Sequence, residues 1–76
     1  MQPIKTAIAS ADLSTRGKRR KTVTLIAGLL ERIRTAEEAF MEGMPLNLQG
    51  SDAFVNTEYS IALIDEAIDV ISSIYD

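Results

Sequence analysis

Seventy-six residues make one domain at most; 46% of them are hydrophobic, but only four are aromatic and none is Trp, so any core is built from Ile, Leu, Val and Ala. The net charge of −3 departs from the basic balance of most nucleic-acid binders. With no His and no Cys the chain has no cysteine nucleophile, Ser-His triad, zinc site or His-containing di-iron site.

The aliphatic composition favours a helix bundle over a small β-barrel. With no disulfide or metal cluster to staple so short a chain, oligomerisation is the remaining route to stability. No apolar run approaches the ~18 residues that cross a bilayer. The start, Met1-Gln2-Pro3-Ile4-Lys5, lacks the basic-then-apolar order of a signal peptide, so the expected location is the cytoplasm, away from membranes.

Residues 1–13 are weakly patterned. Ile4, Ala7, Ile8 and Ala11 recur at helical spacing, which allows either a flexible extension or a short amphipathic helix. Residues 14–21 read Ser-Thr-Arg-Gly-Lys-Arg-Arg-Lys, so five of the eight cations fall within six residues. Ser14 or Thr15 offers a helix cap, or the helix begins after Gly17. Ile26, Leu29, Leu30, Ile33, Ala36, Phe40 and Met41 then predict one apolar stripe on a helix over about 18–42. Glu31 and Arg34, and Arg34 and Glu38, stand at helical contact distance. Gly28 interrupts the stripe at a cost of about 1 kcal/mol relative to Ala, which signals close approach by another helix.

Residues 43–51 predict the reversal. Pro45 has no amide hydrogen and pushes Met44 out of helical geometry. Gly43 is the residue type that ends a helix in a left-handed turn, and Ser51 and Asp52 offer caps to a new helix. Leu46 and Leu48 are expected to plug the bundle end, with Asn47 and Gln49 satisfying loop backbone. A second helix over about 52–75 carries a heptad-like seam: Phe54, Thr57, Ile61, Ile64, Ile68, Ile71 and Tyr75. Beside it runs a second stripe, Leu63, Ala67, Val70 and Ile74, which is too much apolar surface for one partner helix. Residues 14–76 thus read as an all-α antiparallel hairpin that assembles into an oligomeric helix bundle, with Leu63, Ala67, Val70 and Ile74 as the oligomer interface.

Charge is divided along the chain. Residues 1–34 hold all eight Lys and Arg against Asp12 and Glu31, a balance of +6, whereas residues 35–76 hold nine acids and no base. Asp65, Glu66 and Asp69 read as a solvated helix face, with no metal or other cofactor expected. No Walker loop or Gly-rich dinucleotide motif occurs, and no enzymatic activity is expected. The constellation of chemical interest is Arg16, Lys18, Arg19, Arg20 and Lys21, joined by Thr22 and Thr24 as hydroxyl donors. Cations at a helix N-terminus oppose the macrodipole, and free amides beside them make an anion site. The competing expectation is that Asp69, Asp76 and the carboxylate end of the adjacent helix neutralise the cluster.

Met44-Pro45, Asn47-Leu48-Gln49-Gly50-Ser51 and the stretch from Ala62 to Ala67-Ile68-Asp69 resemble a group of small helical-hairpin proteins carried by phages and other mobile elements, especially of Gram-positive bacteria. The resemblance covers about the last 40 residues. That group usually has an acid where Leu46 stands, and residues 16–21 depart from its acidic character. The resemblance implies a hairpin and a mobile-element setting but no activity. In that setting the expectation is an accessory or anti-defence protein that binds itself and sequesters an anionic ligand, a signalling nucleotide or nucleic acid. The alternatives are a module whose acidic second helix (Asp65, Glu66, Asp69) docks a basic host protein, and a purely structural oligomer.

Overall fold

Thr15 sets the start of the first helix. Its backbone is extended (φ −126°, ψ 160°) and its Oγ1 accepts the Lys18 amide at 3.1 Å, which satisfies one of the free donors of the first turn. The structure, a computed structural model, describes residues 11–76. The Ile4, Ala7 and Ile8 spacing lies outside the described residues. Helix α1 runs Arg16–Glu42, 27 residues. It therefore begins two residues before the expected start, because Thr15 rather than Gly17 provides the boundary.

Gly43 ends α1, but not in a left-handed turn. Its φ and ψ are −80° and −7°, and its amide donates to the Ala39 carbonyl at 3.1 Å. Pro45, extended at φ −58° and ψ 152°, then turns the chain without any positive φ. A 3-10 turn, Leu46–Leu48, follows. The loop amides bond to the loop's own carbonyls: Leu48 to Pro45 at 2.9 Å, Gln49 to Leu46 at 3.3 Å and Ser51 to Leu48 at 3.1 Å. The backbone thus closes the loop itself, where side chains of Asn47 and Gln49 were expected to do so. Leu46 does not plug the bundle end; it is 85% exposed, and Leu48 is also exposed.

Helix α2 runs Asp52–Ser72, with Ser51 Oγ accepting the Phe54 amide at 3.3 Å and Asp52 suited to the positive end of the helix. It stops short of residue 75. Ser73 turns its hydroxyl back to the Asp69 carbonyl, and the Ser73 and Ile74 amides tighten to three-residue bonds with Val70 and Ile71. No base stands in the last turn to favour continuation.

The helices pack antiparallel along the expected α2 seam. Phe54, Ile61, Ile64, Ile68, Ile71 and Tyr75 are half-buried, and Thr57 is the most enclosed of the described residues at 8% exposure, its hydroxyl donating to the Ala53 carbonyl at 2.8 Å. Val23, Ala27, Leu30 and Met41 of α1 are half-buried as well. Arg34 ties the layer across its polar side, with Nε to Asp65 Oδ1 and Nη1 to Glu38 at 2.9 Å. The expected Glu31–Arg34 pair is not formed.

This packing divides the stripe expected on α1. Ile26, Ile33, Ala36 and Phe40 remain exposed rather than facing α2. Gly28 meets no other helix; a Cβ there would have nothing within 4 Å. The molecule measures 51 × 32 × 14 Å, and among the described residues no apolar side chain is buried. It is one layer of helix, where a stable domain needs two.

Candidate functional site

The unburied apolar side chains have an ordered placement. At 3.6 residues per turn, the exposed α1 set lies about 100° around the helix from the line facing α2. On α2 the set Leu63, Ala67, Val70 and Ile74 lies about 120° from the line facing α1. Because the helices run in opposite directions, both rotations lead to the same side of the layer. The Arg34–Asp65–Glu38 cluster lies on the other side. The hairpin therefore has an apolar side, built from Ile26, Ile33, Ala36 and Phe40 with Leu63, Ala67, Val70 and Ile74, and a polar side.

The four α2 residues expected at an oligomer interface thus fall together on open surface. Val70 is 64% exposed, Leu63 and Ile74 are exposed and Ala67 is half-buried. The α1 half of the surface was assigned by spacing to the hairpin's own seam. Its signal was the width of the α1 pattern, which with Val23 and Ala27 included exceeds what one partner helix covers.

The basic end sits on the surplus length of α1. The loop holds Glu42 and Asp52 together, and α1 has 27 residues against 21 in α2, so about two turns of α1 extend past the helical part of α2, beside the residues that follow Ser72. Those turns are Arg16–Lys21. Three of the five cations have partners within the chain. The Arg16 guanidinium lies 4.8 Å from the centroid of the Tyr75 ring, a cation–π contact that joins the start of α1 to the chain just after α2. Lys18 pairs with Asp12, and Arg19 Nη1 donates to the Leu13 carbonyl at 2.9 Å. The lysine beside Asp12, with help from the Ser14 amide, holds that carboxyl below the usual carboxylate range.

Thr22 and Thr24 do not serve as free donors. Their hydroxyls donate back to the Lys18 and Arg20 carbonyls at 3.0 and 3.1 Å, the four-residue bond common for Thr in a helix. Asp69 and Asp76 form no ion pair with the cluster among the described residues, although Asp76 lines the same shallow hollow as Arg20, Thr24 and Tyr75. A second groove, lined by Thr15, Gly17, Lys18, Arg20, Lys21 and Thr24, contains no acid in its wall. Asp65 is engaged by Arg34, whose guanidinium is held further toward its charged form by Asp65 first and Glu38 second.

No known protein family, curated protein or solved structure matches this chain. No described helix is long and apolar enough to cross a membrane.

Proposed function

We propose that the chain is a non-enzymatic homo-oligomeric binding protein, whose hairpins assemble through the apolar side and act by stoichiometric binding. The observation that carries this reading is the single layer: among the described residues no apolar side chain is buried, and Ile33, Phe40, Leu63, Val70 and Ile74 are exposed together on one side. Burial of apolar area drives both folding and association, and a chain of this length buries too little alone. Size exclusion with light scattering across a concentration series tests it. A stable, fully helical monomer at micromolar concentration is the opposing result.

A second element of the proposal is an anionic ligand, nucleotide or nucleic acid, at the basic end. The acid-free groove of Lys18, Arg20 and Lys21 supports it. The partners of Arg16, Lys18 and Arg19 weaken the full seven-residue site expected from sequence and shift its weight to Arg20 and Lys21. Native mass spectrometry of protein purified from cells tests for such a ligand; steep salt dependence marks a nucleic-acid backbone. The accessory or anti-defence role in a phage or mobile element follows from the sequence resemblance and belongs to the same proposal. Docking of a basic host protein on the acidic face of α2 (Asp65, Glu66, Asp69) remains the alternative, and a further acidic hollow at the loop end, where Glu38, Glu42 and Glu58 flank Met41 and Ile61, is compatible with it.

A further inference from the structure

Two layers that close over their apolar sides through a two-fold axis can lie in two ways. With the axis along the helices, both open ends share one end of the bundle and both loop ends the other. With the axis across the helices, each open end lies over the partner's loop end.

Charge distinguishes them. Residues 35–64 contain Glu37, Glu38, Glu42, Asp52 and Glu58 and no Lys or Arg. The open end has Arg16, Lys18, Arg19, Arg20 and Lys21 against Asp12, Asp69 and Asp76. Packed helices lie about 8–10 Å apart, close to the Debye length of about 8 Å at physiological salt, so facing ends interact. The first arrangement gathers the acids of both loop ends with no base among them. The second sets a cationic end against an acidic one at both ends of the bundle. Like charge across an interface acts against the wrong geometry, and opposite charge favours the right one.

The lengths agree. The start of α1 runs about 9 Å past the helical part of α2, beside Tyr75 and Asp76, and in the second arrangement this end lies over the partner's loop. The apolar side is about 30 Å long and two helix diameters, roughly 20 Å, across, a footprint on the scale of the ~800 Å² per partner in standard interfaces.

We propose that a second copy of the chain covers the apolar side antiparallel, with each basic overhang lying over the other copy's acidic loop end. The proposal rests on the self-assembly reading above and adds its direction. The two-fold axis passes near Ile33, the middle of the α1 stripe, with Ile26 and Phe40 two turns to either side. Arg34 pairs with Asp65, so Ala67 is the apolar-side residue of α2 nearest in level to Ile33.

The chain has no cysteine, so single-cysteine variants report the geometry directly. Oxidised Ile33→Cys should shift to twice the 8.3 kDa chain mass. A mixture of Ile26→Cys with Phe40→Cys should form the mixed disulfide, and each alone should form far less. In the other arrangement Ile33 faces the partner's α2, and the crosslinked pair is Ile33→Cys with Ala67→Cys. Light scattering of the same variants under reducing conditions separates two failures. A monomer overturns self-assembly and direction together; a dimer that crosslinks through the 33–67 pair overturns direction alone. Salt gives a second reading: association should weaken as NaCl rises, and strengthening with salt contradicts the antiparallel arrangement.

Discussion

Val70→Asp probes the apolar side at its most exposed member. In the hairpin Val70 is 64% exposed. Full burial of a valine contributes about 1.5 kcal/mol at the lower end of the usual range. The part still available to an interface is therefore about 1 kcal/mol per copy. In the proposed two-fold dimer the change falls in both copies, for a loss of about 2 kcal/mol. At 1.4 kcal/mol per tenfold change, the dissociation constant rises about 30-fold before the carboxylate is counted. A carboxylate enclosed without a partner adds to that. Val55→Asp is the control: Val55 is also exposed, but lies around the edge of α2, in its first turn, where an acid suits the helix dipole. Size exclusion with light scattering, with far-ultraviolet circular dichroism on the same samples, should show Val70→Asp shifted to monomer mass and Val55→Asp unchanged. Equal masses for Val70→Asp and the parent refute the reasoning. So does a Val55→Asp protein that dissociates as readily as Val70→Asp.

Replacing Gly43, Pro45 and Gly50 together with Ala should favour a continuous helix and a longer, swapped assembly, seen as an increased maximum dimension by small-angle scattering; Pro45→Ala alone should leave the shape unchanged. Arg34→Met should lower the melting temperature slightly, and the difference from the parent should shrink at high salt, because the pairs with Asp65 and Glu38 are solvent-accessible. Arg20→Ala with Lys21→Ala should abolish binding of an anionic ligand with helicity unchanged, since neither residue is ion-paired among the described residues; retained binding places the ligand elsewhere. Asp12 has a folded pKa below its unfolded one, so its contribution is present above the unfolded value and lost as pH falls through the depressed one. The Ser14 amide, which donates to Asp12, should lose its protection from exchange, relative to the intrinsic rate at each pH, as the pH falls below about 4, followed by NMR.

The two helices and the reversal were legible because each carries a strong local signal. Pro45 forbids continuation, Ser51 and Thr15 are cap residues, and the α2 seam repeats at three and four. The second α2 stripe was legible by excess: spacing alone showed more apolar surface than one helix covers. What was not legible depends on register or on competition within the backbone. The Arg34–Asp65 pair joins residues 31 apart, and only the length of the loop turn decides which levels meet. The same register divides the α1 stripe, which spacing reads as continuous. Gly43 was read from its usual role as a left-handed cap, but the extended Pro45 supplies the turn instead. Thr22 and Thr24 were counted as donors to a ligand, although the helix offers each a nearer acceptor four residues back. The Arg16–Tyr75 contact follows from antiparallel pairing, which brings the start of α1 beside the end of α2, yet no motif marks it.

The loop that bonds to its own carbonyls bears on how quickly this shape is found. Its closure joins neighbours in sequence, and segments of about ten residues close in roughly 10–100 ns. Helix formation in chains of this length takes about 0.1–1 μs. Nothing in the hairpin requires a distant strand pairing or a slow search, so its contact order is low. Formation of the fold is therefore expected to be fast. In the proposed dimer two such hairpins meet while both are formed, and that encounter is the one step whose rate depends on how much protein is present.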